Sequence, residues 1–407
     1  MISPHIGLET FELSLERQRF ARAGFTTSFG RVAEHVYRAL LFGAPESWHL
    51  SLLIQRPWRG RPDEAAAFAR RGVDTQRFWV PPPLPLIQGS VGQPWRERQI
   101  RRDYIPRTRA RRFDLLHYTG HPPWGTEPLA RAEMFSLADL YPARTRPDGW
   151  RDVLAQFKAR LDSLWLICIS SFTAADAVEF LGIDPARARA IPLAVDHAVY
   201  QPEPTDEDTA VRARHGLPEH YVLYVGNFYP RKNVATLARA LERVNERRAE
   251  PFALVLAGHL GGTNRLQRLR TNREFAQVLR RTPRHEVDQP TDREMAALYR
   301  GATLVVHPSL FEGFGFTVLE AQACGTPVVC GRHSSLVEVG GDAARFLEDV
   351  RDVEAMAAAI EEVLGSDALR AGMRARGLAH AAGFRWERFA RDVLAFHQEA
   401  LATVRPG

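Results

Sequence analysis

The chain has 407 residues, 45% hydrophobic and 25% charged, which suits a folded protein of two ordinary domains and excludes a disordered or fibrous one. The net charge of +6 permits a phosphate-bearing partner without demanding one. Of 54 basic residues only Lys158 and Lys232 are lysine, so the charge excess reads as a broad arginine bias of composition, against which a lysine in a phosphate-type loop stands out. No run reaches the roughly 18 to 20 consecutive apolar residues of a membrane span, and the first residues lack the basic start and apolar core of a secretory signal. Cys168, Cys324 and Cys330 cannot all pair within one chain, and none has zinc-site spacing. Buried thiols in a reducing, cytoplasmic setting are expected.

In chain order, SFGRVAEHVYRALL (28–41) predicts an amphipathic helix with Val32, Val36 and Leu40 in line. No clear strand precedes it unless residues 6–15 supply one. HLSLLIQ (49–55), FDLLHYTG (113–120) and WLICISS (165–171) predict strands. Between the first two lie PPPLPL and a stretch of eight arginines from Arg96 to Arg112, predicted to be a long surface excursion. IPLAV (191–195) reads as a last strand, and the polar, proline-containing segment after it places a boundary near 196–220.

The second half alternates more cleanly. YVLYVG from Tyr221 is a strand with a glycine stop, followed by the loop NFYPRKN and a helix with Leu237, Leu241 and Val244 on one stripe. FALVLAG (252–258) is a second strand, DREMAALYRGA (292–302) a helix and TLVVHPS a strand with a loop. FEGFGFTVLEAQACG is a loop with a helix, PVVC a strand and VEAMAAAIEEVL a helix. Strands alternating with helices predict an α/β fold of two doubly wound domains, with ligands beyond the carboxyl ends of the strands and a cleft between the domains.

Two segments carry the chemistry. In Glu312-Gly-Phe-Gly-Phe-Thr-Val-Leu-Glu320 one carboxylate stands in a loop and the other about one turn inside the next helix. The N–H groups of Gly315, Phe316 and Thr317 form a helix N-terminus that suits a diphosphate. The flanking carboxylates would repel that anion and suit neutral hydroxyls, sugar on one side and ribose on the other. Each glutamate alone also reads as a cap or a solvated helix residue. In Gly226-Asn-Phe-Tyr-Pro-Arg231-Lys232-Asn233 two cations sit at the mouth of a helix, where they can meet a diphosphate from the other side. An ordinary loop with surface cations is the alternative.

These segments, from about Tyr221 to Gly365, resemble the retaining glycosyltransferases of family four, the group 1 glycosyltransferases with the GT-B fold of two Rossmann-like domains. The resemblance is looser in the first half, over WLICISSFTAADAVEFLGI and ARAIPLAVD. It implies an acceptor-binding domain over 1–196, a nucleotide-sugar-binding domain over 206–383 and a C-terminal helix over 384–407 that can return to the first domain. It gives Glu312 a catalytic place near the transferred sugar and Glu320 the nucleotide ribose. Phe314 to Thr317 then offer backbone N–H groups to sugar and phosphates, and Lys232 holds the diphosphate. Where the family often has arginine after the strand glycine this chain has Asn227, and Arg231 stands nearby to compensate.

Relatives also carry a His-Asp-Leu stretch whose histidine faces the reaction centre. The matching Ser136-Leu-Ala-Asp-Leu140 has Ala138 there. His121 is the first alternative and His117 the second, although a lone histidine is more often structural than catalytic. Asp206-Glu207-Asp208 has metal-binding spacing but lies in the linker, and it reads as a solvated charge cluster, so no metal is expected. The arginine stretch either touches a lipid diphosphate or an anionic membrane face, or is a solvated loop. No nucleic-acid reading motif accompanies it. The resemblance implies a cytoplasmic enzyme with no cofactor besides a nucleotide-sugar co-substrate, GDP-mannose being the first donor to test. It would build polysaccharide or glycolipid on a saccharide or lipid-linked acceptor, with peripheral contact at the inner membrane face as a variant. A non-catalytic nucleotide-sugar binder or scaffold on the same fold is the competing reading.

Overall fold

The computed structural model describes residues 3–9, 28–55, 72–78, 100–119, 127–258 and 282–404. They fall into two compact units. One holds the chain up to Leu193 together with Trp386 onward, and the other holds Ala194–Arg385.

The first unit is built on strands β1 (His5–Glu9), β2 (His49–Gln55), β3 (Asp74–Phe78), β4 (Phe113–Tyr118), β5 (Ala130–Leu137), β6 (Leu164–Cys168) and β7 (Ala188–Ala190). They pair in the order β3-β2-β1-β4-β5-β6-β7, every neighbour parallel. Helices α1 (Ser28–Arg38) and α2 (Ser171–Leu181) belong to the connections, and the Ser170 hydroxyl caps α2 by accepting from Thr173 N at 3.0 Å. In the middle of β5, Glu133 is fully buried, yet Arg160 Nη1 lies 2.6 Å from it and Tyr118 Oη 2.8 Å. A buried charge survives only with such partners.

The second unit has strands β8 (Tyr221–Val225), β9 (Ala253–Gly258), β10 (Arg284–Asp288), β11 (Leu304–His307), β12 (Val328–Gly331) and β13 (Arg345–Leu347). Their order is β10-β9-β8-β11-β12-β13, again all parallel. Residues of β8, β9, β11 and β12 are buried throughout, as strands covered on both faces require. Around them lie α3 (Asp206–His215), α4 (Val234–Asn245), α5 (Asp292–Gly301), α6 (Phe316–Ala323), α7 (Val353–Leu364) and α8 (Asp367–Ala381). Leu237, Leu241, Met356 and Ile360 fill one core cluster between α4, α7 and the sheet. A reciprocal Thr291–Glu294 capping box starts α5. The sheet reverses direction of growth between β8 and β11, and at such a switch point the loops leaving the carboxyl ends diverge and open a crevice.

Several expectations need correction. The last strand of the first unit is Ala188–Ala190 and not IPLAV. Asp206-Glu207-Asp208 is the first turn of α3, and Asp208 Oδ2 accepts from Arg300 Nε at 2.8 Å, so this is no loose cluster. The described part of the arginine stretch is at the surface, as expected, but is not all loop. It contains a short helix, Ile105–Ala110, and Arg107, Arg109 and Arg111 lie 3.1, 2.7 and 2.8 Å from Asp103, Glu127 and Asp74.

The final helix, α9 (Trp386–Thr403), buries Phe389, Val393, Phe396 and His397 and packs against α1 and β4. Among the described residues no helix is long and apolar enough to cross a membrane.

Candidate functional site

Two loops leave the carboxyl ends of β8 and β11. The first begins at Gly226, under such close cover that a Cβ on Gly258 of β9 would stand 2.7 Å from the Gly226 carbonyl oxygen. Tyr224 Oη donates to the Asn227 carbonyl at 2.5 Å, and the Asn227 side chain accepts from Tyr229 N at 3.3 Å. Asn227 therefore shapes the loop. A single 3₁₀ turn, Pro230–Lys232, follows, and Asn233 at φ 53° ties the entrance of α4 to the Val350 carbonyl at 2.7 Å. This holds Arg231 and Lys232 at the mouth of α4.

The second loop runs from Pro308 to Gly315. It is laced to the first by Leu310 N donating to the Arg231 carbonyl at 2.7 Å and by Arg231 Nη1 donating to the Phe311 carbonyl at 2.9 Å. Gly315 takes φ 114° and, as the N-cap of α6, brings no side chain of its own to the helix that starts at Phe316. The first turn of α6, with Thr317 in it, follows directly on the loop that carries Glu312, and that end of the helix is the positive end of its dipole. The Ser335 hydroxyl stands 2.8 and 2.7 Å from the carbonyls of Glu312 and Phe314 and donates to one at a time, which braces the loop from below.

At the centre the Glu312 carboxylate meets Lys232 Nζ at 2.5 Å, His307 Nε2 at 3.1 Å and Arg231 Nη1 at 3.5 Å. Burial alone would raise its pKa. Lys232, then His307 and Arg231, outweigh burial and hold the carboxyl well below its ordinary range. Burial lowers the His307 pKa in turn, against the pull of Glu312, so the imidazole is neutral at pH 7. Glu320 has a different partner: it is buried in α6, and Tyr299 Oη donates to it at 2.9 Å.

Arg231, Lys232 and Glu312 therefore come together, in an arrangement the sequence did not suggest, since both cations lie on the carboxylate. His307, Ser335 and Tyr299 escaped the sequence reading. The one available signal was position, because His307 closes a strand at its carboxyl end. His121 lies outside the described residues. His117 is a core residue and no active-site candidate: it is fully buried, 3.0 Å from His397 Nε2 and 2.9 Å from the Ser136 hydroxyl. Among the described residues no group of three or more His, Cys, Asp or Glu is placed to hold a metal ion.

Two doubly wound parallel sheets, one with a cationic and glycine-bearing crevice at its switch point, define the GT-B fold. Sucrose-phosphate synthase from Thermosynechococcus elongatus superposes with a TM-score of 0.72 over 98% of this chain and 99% of that one, at 19% identity. Residues 207–379 match the family of glycosyl transferases group 1, and this part of the chain belongs to that family. The chain is 34% identical to O-antigen chain mannosyltransferase B from Escherichia coli over 233 residues, 56% of this chain and 58% of that protein. It is 32% identical to D-inositol 3-phosphate glycosyltransferase from Salinispora arenicola over 288 residues, 68% of this chain and 63% of that protein. The chain thus spans less than two thirds of the length of these curated relatives.

Proposed function

We propose that the protein is a glycosyltransferase that moves a hexose or deoxyhexose from a nucleoside-diphosphate sugar to an acceptor hydroxyl, with retention at the anomeric carbon. The observation that carries this reading is that Arg231 and Lys232 both reach Glu312, in the loop that leads into the first turn of α6. Two cations and a helix N-terminus are what a leaving diphosphate needs, and they make a metal ion unnecessary. Glu312 lies at the sugar end of that anion site, and Glu320 inside α6 is the candidate for the ribose. Retention follows if the leaving phosphate oxygen takes the acceptor's proton on the face it departs from, so that the protein supplies position and charge more than a strong base. The similarity to a mannosyltransferase makes GDP-mannose the first donor to test, with a saccharide or lipid-linked acceptor of polysaccharide or glycolipid assembly.

Thermal melts with UDP and GDP test the reading. A ligand that binds only the folded state stabilises it by about 2.7 kcal/mol at a hundredfold excess over Kd. Glu320→Ala should lose much of that shift, while Glu312→Ala should mainly lower turnover. Turnover of a nucleotide-sugar panel should survive EDTA. No shift with any common nucleoside diphosphate removes the reading; loss of turnover in EDTA, restored by manganese, removes only its metal-free form.

A further inference from the structure

A carboxylate and a diphosphate are both oxyanions, and Glu312 holds the two cations that a diphosphate at this crevice would claim. The two cannot both be fully served. A diphosphate that draws Lys232 and Arg231 to itself strips a carboxylate that is only 12% exposed, and a nearly buried charge left alone is costly. One further group stays on that carboxylate. His307 Nε2 is 3.1 Å from Glu312 Oε1, and the ring is 1% exposed at the end of β11. Among the described residues its Nδ1 has no hydrogen-bond partner, which fits a neutral ring whose single proton sits on Nε2 and is donated to Glu312. Because His307 belongs to the strand and not to either loop, it stays in place when the loops adjust.

We propose that His307 is a positioning residue that keeps hold of Glu312 when a nucleoside diphosphate takes Lys232 and Arg231 from it, so that the carboxylate is handed from cation to imidazole. The proposal rests on the reading of this crevice as a nucleoside-diphosphate site. It makes the Lys232–Glu312 pair an exchangeable contact, with Glu312 kept aimed for the sugar through the exchange.

The other charged or titratable groups that face His307 or its carboxylate are Tyr224 from β8, Arg231 and Lys232 from the first loop, and His333 from the loop after β12. The two cations are what disfavour a proton on His307 besides burial.

The test uses the full chain and calorimetric titration with UDP and GDP beside uridine and guanosine. His307→Leu removes the donor, and His307→Gln keeps an N–H of similar reach. In His307→Leu the diphosphate affinity should fall on the order of tenfold, the nucleoside affinity should hold within about twofold, and His307→Gln should recover most of the loss. Equal losses for nucleoside and diphosphate in His307→Leu overturn the proposal. If that variant does not fold, His307→Asn, whose amide is too short to reach Glu312, takes its place, and equal losses for nucleoside and diphosphate in it overturn the proposal. Wild-type protein that binds neither UDP nor GDP overturns the donor-site reading and this proposal together, whereas tight diphosphate binding with an indifferent His307 overturns the proposal alone.

Discussion

Glu312 joins stability and ligand binding in one side chain. Its carboxyl is held below the ordinary range because Lys232, His307 and Arg231 together outweigh the burial that would raise it. A carboxyl with a depressed folded pKa stabilises the protein above its unfolded value, about 4.3, and that stability is lost as pH falls further through the folded value. Lys232→Met should therefore cost about 2 kcal/mol at pH 7, in the range of a hydrogen bond to a charged group. The cost should shrink below about pH 4, as Glu312 becomes neutral and no longer needs a cation. Urea melts of both proteins across that range check this, and an equal penalty at every pH would show that Lys232 acts through packing. Much of this site was readable from sequence because two glutamates around Gly-Phe-Gly and a rare lysine beside an arginine are unusual in combination. What could not be read was which partner each charge prefers. That depends on the 2.7 Å link from Leu310 to Arg231, a contact between residues far apart in the chain. His117 and His307 look alike in sequence, each at or near the end of a buried strand, yet one faces a histidine in the core and the other a carboxylate in the crevice.

At the scale of elements, the crevice depends on how α6 begins. Gly315 at φ 114° occupies a region that L side chains rarely adopt, and a Cβ there would stand 2.9 Å from Leu336 Cδ2. Gly315→Ala should cost about 1–3 kcal/mol of strain. It should also weaken UDP or GDP binding, because the strained turn aims the first N–H groups of α6. Stability lost with nucleotide affinity intact would mean that the turn serves the fold and not the ligand. The same scale explains which strands the sequence disclosed. Apolar runs such as YVLYV and ALVLAG are buried along their whole length and were legible as strands. RHEVD of β10 is an edge strand with one buried residue in five, and RFL of β13 is three residues long, so neither leaves a periodic trace. In β5 the charged Glu133 interrupts the apolar pattern, and Arg160, Tyr118 and the Leu129 N–H, brought in by the fold, make that position acceptable.

At the scale of the whole molecule, the end of the chain returns to the first unit and closes its core with a polar contact. His397 on α9 lies 3.0 Å from His117 on β4, His117 reaches the Ser136 hydroxyl, and His397 Nδ1 lies 2.7 Å from the Val393 carbonyl. Each ring nitrogen has a neighbour, so the pair is satisfied with both rings neutral. Burial pushes His397 down to about 4 and His117 well below its ordinary value, the second ring also being disfavoured by the first. In the unfolded chain both would bind protons near 6.5, so acid favours unfolding, and the stability of this unit should fall as pH drops from about 6.5 toward 4. The His397 shift alone corresponds to about 3 kcal/mol by the low end of that window. Replacing the ring removes one of the two proton-linked sites but leaves His117 Nδ1 facing an apolar side chain. His397→Leu should therefore be less stable than the wild type at pH 7.5, by about 1–3 kcal/mol for the orphaned nitrogen. Its stability should also decline less between pH 6.5 and 4.5, so that the two curves converge in acid. Melting curves over that range separate the effects: an unchanged acid slope in His397→Leu would place the proton linkage elsewhere, and no loss at pH 7.5 would show that α9 is held by Phe389, Val393 and Phe396 without help from the histidine pair.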